Sequence, residues 1–138
     1  MDDKNADGGE MSPAAIVIRF RPTNPESVLA WAQKEHRRTG YFRLSVFADV
    51  AGPGEDDDAV IQRLLDASEL AGVDPGGNKK FYVCTNASEL LGLGFTFHKD
   101  EEEGESSEHW SVDIGADPSG DDALRFLSPF GPPEGRRR

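Results

Sequence analysis

The sequence predicts an α+β domain: a mixed, mainly antiparallel five-stranded sheet with helices packed on one face, in the order β-α-β-α-β-α-β-β-α. A three-layer α/β sandwich is the alternative arrangement. Three observations carry this. Residues 15–21, 41–48, 95–99 and 109–114 alternate apolar and polar side chains with the period of a half-buried strand. The stretches between the earlier strands carry helix starts and stops around apolar stripes. The last two strands follow one another without a helix, which makes them a hairpin.

Taken in order, residues 15–21 set Ile16, Ile18 and Phe20 on one side and Val17, Arg19 and Arg21 on the other, and Pro22 ends the run. Two helix starts compete next: a capping box of Thr23 with Glu26, or Asn24 as N-cap with Pro25 at the first helical position. Val28, Leu29, Trp31 and Ala32 form the apolar stripe of that helix, Lys34, Arg37 and Arg38 sit toward its negative end, and Gly40 stops it. Residues 41–48 place Phe42, Leu44, Val46 and Ala48 opposite Tyr41, Arg43, Ser45 and Phe47. The run Glu55-Asp56-Asp57-Asp58 stands where a helix N-terminus stabilises negative charge, and Val60, Ile61, Leu64, Leu65, Ser68 and Ala71 give the stripe that follows, ended by Gly72. It lacks the spaced oxygens and fixed glycine of a calcium loop.

After a turn cluster at 74–78 comes the third strand, 81–85, then a short helix, 87–91, with Asn86 and Glu89 as its capping box. The glycine pair before Lys79 precedes a strand, whereas phosphate-cradling loops sit between a strand and a following helix. A final helix is expected at 121–127. The folded domain should span residues 13–127. Residues 1–12 and 128–138 are poor in apolar side chains and are expected to be disordered tails.

The register of the last hairpin can be narrowed, because directly opposed side chains share a face. Phe95 and Phe97 must face the side of Trp110, Val112 and Ile114. One permitted register pairs Phe97 with Trp110 and His98 with His109; the other sets His98 against Ser111 and leaves His109 in the loop. We favour the first. Collected over all strands, one face then carries Ile16, Ile18, Phe20, Phe42, Leu44, Val46, Phe95, Phe97, Trp110, Val112 and Ile114 as the core. The opposite face carries Val17, Arg19, Arg21, Tyr41, Arg43, Ser45, Phe47, Thr96, His98, His109, Ser111 and Asp113.

The net charge of −11 argues against a general nucleic-acid or anionic-membrane binder, both of which need Lys and Arg. Charge is also unevenly spread: residues 19–43 carry a local +4, and residues 100–122 carry −10 with no Lys or Arg. The single cysteine, Cys84, rules out an intrachain disulfide and a Cys-based zinc site. There is no apolar run of membrane-spanning length and no signal-peptide pattern at the start, so a cytoplasmic protein is expected, and the Ala, Gly, Asp, Arg and Pro weighting suggests a bacterial one.

No motif specifies a reaction. His98 and His109 with Glu108 and Asp113 are metal-capable side chains, but exposed histidines on strands are common and no metal ligand or cofactor is assigned. His109, Ser111 and Asp113 are the residue types of a hydrolase triad, yet on alternate positions of one strand they stand roughly 7 Å apart, too far for a nucleophile to bond its base. The expected function is therefore binding rather than catalysis: a small acidic regulatory or accessory protein, immunity- or antitoxin-like in its most concrete version. It would meet a protein partner with a basic surface through Glu101, Glu102, Glu103 and Glu105. The alternative is a small enzyme or anion-binding domain that holds a phosphate-bearing ligand through Arg19, Arg21, Arg43, His98 and His109.

Overall fold

The computed structural model describes residues 11–20, 24–70, 81–99 and 108–135. Its elements are β1 (Ile16–Arg19), α1 (Pro25–Thr39), β2 (Arg43–Asp49), α2 (Asp57–Leu70), β3 (Phe81–Asn86), α3 (Ala87–Gly92), β4 (Thr96–Lys99), β5 (His109–Asp113), α4 (Gly120–Leu127) and β6 (Glu134–Gly135). The strands form one sheet in the order β4-β5-β2-β1-β3-β6, with every neighbouring pair antiparallel. The class is the α+β one that the alternation and capping signals predict, with β6 as a sixth strand.

The helix boundaries follow the local chemistry. The Asn24 side chain accepts the Ser27 backbone N–H at 2.9 Å with Pro25 in the first turn, the second of the two expected starts; Thr23 lies outside the described residues. Gly40 closes α1 at φ 88°, a left-handed conformation that costs glycine nothing, and its N–H donates to the His36 carbonyl at 2.8 Å. Asp56 caps α2 by accepting the Ala59 N–H at 2.9 Å. At α3 the expected capping box is absent: the Asn86 side chain makes no cap bond. The backbone N–H groups of Ala87 and Ser88 donate instead to the carbonyls of Ala15 and Pro13, so the N-terminal segment does the work of a cap.

The helices divide between the two sides of the sheet, which is the placement of the three-layer alternative. Val17, Leu44, Val46, Ala48, Trp110, Val112 and Phe97 pack with Val28 and Ala32 of α1, Leu90 of α3, and Ala123 and Phe126 of α4. Ile16, Ile18, Phe20, Phe47 and Tyr82 pack with Val60, Leu64 and Leu65 of α2. The β1–β2 register explains the split. Ile18 lies opposite Phe47 and Val17 opposite Ala48, so the Ile16/Ile18 side of β1 shares a face with Phe47 rather than with Leu44 and Val46. The single core face expected from alternation is thus two faces, and β1 is buried along its whole length.

Two further corrections concern the hairpin and the tails. The favoured pairing of Phe97 with Trp110 is overturned: Phe97 lies opposite Val112, His98 opposite Ser111 and Lys99 opposite Trp110. His109, rather than sitting in the loop, pairs with Phe47 of β2. The register of β5 is held by five residue pairs with β2 on its other side, an influence local hairpin reasoning does not contain. Residues 1–10 and 136–138 of the expected tails lie outside the described residues. Met11, however, is buried in the core, and Phe130 packs on the Phe126 ring at 5.4 Å. Gly131 N–H donates to the Cys84 carbonyl at 2.9 Å, and Glu134 and Gly135 pair with Tyr82 and Phe81. A segment poor in apolar residues is ordered here by one phenylalanine and an open sheet edge.

Candidate functional site

On the α2 side of the sheet, the half formed by β2, β5 and β4 presents two rows of polar side chains. The ladders align Thr96, Asp113 and Arg43 across the three strands, and His98, Ser111 and Ser45 in the next row. Arg43 stacks on the Tyr41 ring at 3.9 Å and gives its Nε to Asp113 Oδ2 at 3.4 Å. Asp113 Oδ1 accepts the Gly115 N–H at 2.9 Å. His98 Nε2 lies 2.9 Å from the Thr96 hydroxyl, and partial burial first, then the Arg43 charge, holds its imidazole below the usual histidine range despite Asp113. Within the platform Arg43 is thus paired with Asp113, and His98 with Thr96.

His98 and His109 do not oppose each other; the His109 ring packs at 5.1 Å against Phe47. Among the described residues, no group of three or more His, Cys, Asp or Glu is placed to hold a metal ion. Cys84 is half-buried, and burial, followed by Glu134 and Asp57, pushes its thiol up to about 11, where the thiolate nucleophile is scarce at neutral pH.

The arginines of the anion-binding alternative do not converge. Arg43 shares the α2 side with Ser45, while Arg19 shares the opposite side with Val17 and lies over the Phe126 ring of α4, 5.5 Å from its centroid. Arg19 is only 3% exposed, although alternation placed it on the solvated face. Arg21 lies outside the described residues, as do Glu101, Glu102, Glu103 and Glu105.

A second grouping escaped the sequence reading. Arg63 of α2 donates through Nη1 to Asp49 at 2.7 Å, through Nε and Nη2 to the two carboxylate oxygens of Glu55 at 3.0 and 2.9 Å, and through Nη2 to the Val50 carbonyl at 3.0 Å. Glu108 stands 4.0 Å from the same guanidinium. Hydrogen bonding from Arg63, then from the Gly52 N–H, draws the Glu55 carboxyl down to about 2. Three carboxylates from three segments thus gather at Arg63, with the Lys99 ammonium near enough to feel Glu108 and Asp49, at the end of the sheet where β4 stops and β5 begins. An acid run two turns before an arginine was visible at 55–63, but Asp49 and Glu108 join it only through tertiary folding.

No family model, no curated protein and no solved structure matches the chain. Among the described residues, no helix is long and apolar enough to cross a membrane.

Proposed function

We propose that this is a small cytoplasmic binding protein that captures a basic protein partner through the acidic end of its sheet, in an immunity- or antitoxin-like role. The supporting observation is the gathering of Asp49, Glu55 and Glu108 around Arg63, at the edge from which residues 100–107 depart, because those residues add five more acids and no cation. A concentrated field of one sign raises the encounter rate with an oppositely charged surface, and it needs no reactive group. The anion-binding enzyme reading loses its geometry, since Arg19 and Arg43 occupy opposite sides of the sheet.

The test is affinity capture from a native bacterial lysate, with the parent and a Glu101→Gln, Glu102→Gln, Glu103→Gln, Glu105→Gln variant as baits. A basic protein retained by the parent and depleted on the variant is expected. Equal recovery on both baits removes the acidic end from the mechanism.

A further inference from the structure

The side chain of Arg19 leaves a hydrogen-bonding fork unfilled inside the fold. Its Nη1 donates to the Ser45 carbonyl at 2.9 Å, while Nε and Nη2 are closed to solvent and have no hydrogen-bond partner among the described residues. These two nitrogens are not an arbitrary pair: in a planar guanidinium, the Nε–H and one Nη2–H point the same way and match the two oxygens of a carboxylate or phosphate. The Ser45 contact fixes one side of the plane and the Phe126 ring lies against it, so the fork is held in place. Burial lowers the guanidinium only to about 10, so it is cationic at neutral pH. A buried charge without a counter-charge is strongly disfavoured, and buried polar groups in native proteins nearly always have partners.

We propose that the Nε/Nη2 fork of Arg19 is the binding site of a small oxyanion, a carboxylate or inorganic phosphate, enclosed between the sheet and α4. This rests on Arg19 alone and is independent of the acidic end. It also replaces the three-arginine site of the sequence alternative with a single bidentate contact.

The experiment is thermal unfolding of the parent, Arg19→Met and Arg19→Lys in sodium formate, acetate, phosphate or chloride at one constant ionic strength. The parent should gain about 3–6 °C, saturably, in one of the oxyanions over chloride. Formate or acetate as the active salt assigns a carboxylate ligand, and phosphate as the active salt assigns a phosphate. Arg19→Met should show no such gain, and Arg19→Lys, which keeps charge but loses the fork, should lose most of it. A parent response equal in all salts, or an Arg19→Met response equal to the parent's, overturns the proposal. Should Arg19→Met fail to fold, the Arg19 side-chain Nε–H resonance of the parent decides: it should shift with the active anion, and an unmoved resonance refutes the site.

Discussion

At the scale of single residues, the pairings that matter are those that hold a charge in a defined place. Glu55 is the clearest. Arg63 and the Gly52 N–H hold its carboxyl at about 2, against an ordinary 4.5. A carboxylate whose folded pKa is depressed stabilises the fold above the unfolded pKa, and that contribution is lost as pH falls through the folded value. The window is therefore from about pH 4.5 down to about pH 2. In Glu55→Gln, stability measured by urea unfolding should fall less steeply across that window than in the parent; parallel curves would show that the Arg63 contact contributes nothing. Arg19 makes a complementary case. A buried cation lacking a counter-charge weighs against stability, so Arg19→Met should raise the unfolding midpoint in chloride, where the proposed oxyanion is absent, by a measurable margin.

At the scale of elements, alternation, helix stops and turn signals were enough to locate β1 to β5 and the four helices, because these are written in local sequence, but they missed β6 and the true cap of α3. Asn24-Pro25 and Gly40 delimit α1 by side-chain size and backbone freedom alone. What local sequence does not contain is which face of one strand meets which face of the next. Val17 and Arg19 look like the outer face of a two-layer sheet, yet β1 lies between β2 and β3 with helices above and below, so both of its faces are buried. The hairpin register failed for the same reason, since β2 fixes β5 from the far side. The Arg63 cluster was illegible because its acids come from β2, the loop before α2 and the start of β5. The Arg19 fork was illegible because it depends on burial.

The packing nevertheless gives firm expectations for elements. Trp110 is 8% exposed, with the Phe97 ring edge-on at 6.4 Å and Lys99 Nζ over its face at 4.7 Å. Trp110→Ala should cost about 3–5 kcal/mol in chemical unfolding, the usual range for an aromatic removed from a core; a loss below about 1 kcal/mol would contradict the packing. The C-terminal segment supplies the second case. Ending the chain at Leu127 removes the Phe126–Phe130 contact, the bond to the Cys84 carbonyl and the two pairs with β3. Because these groups are partly exposed, about 1–3 kcal/mol is expected, in the range of a partly buried aromatic with a few hydrogen bonds. An unchanged unfolding midpoint would return residues 128–135 to the status of a dispensable tail.

At the scale of the whole molecule, net charge and its distribution govern association more than folding. Asp49 and Arg43 lie at opposite ends of β2, with Arg37 and Arg38 in the last turn of the helix before it, so the acidic end and these arginines can be tested against each other once a partner has been captured. Long-range attraction acts mainly on the association rate and is screened over roughly 8–10 Å at ordinary ionic strength. Neutralising Glu101, Glu102, Glu103 and Glu105 to Gln should therefore slow association several-fold at low salt and flatten the dependence of rate on ionic strength. The dissociation rate should change far less. Neutralising Arg37, Arg38 and Arg43 to Gln makes the molecule more negative and should leave association with a basic partner unchanged or faster. Stopped-flow rates across a salt series read both variants directly. If the arginine variant is the slow one, the captured partner meets the opposite end of the molecule and the acidic-end mechanism is wrong.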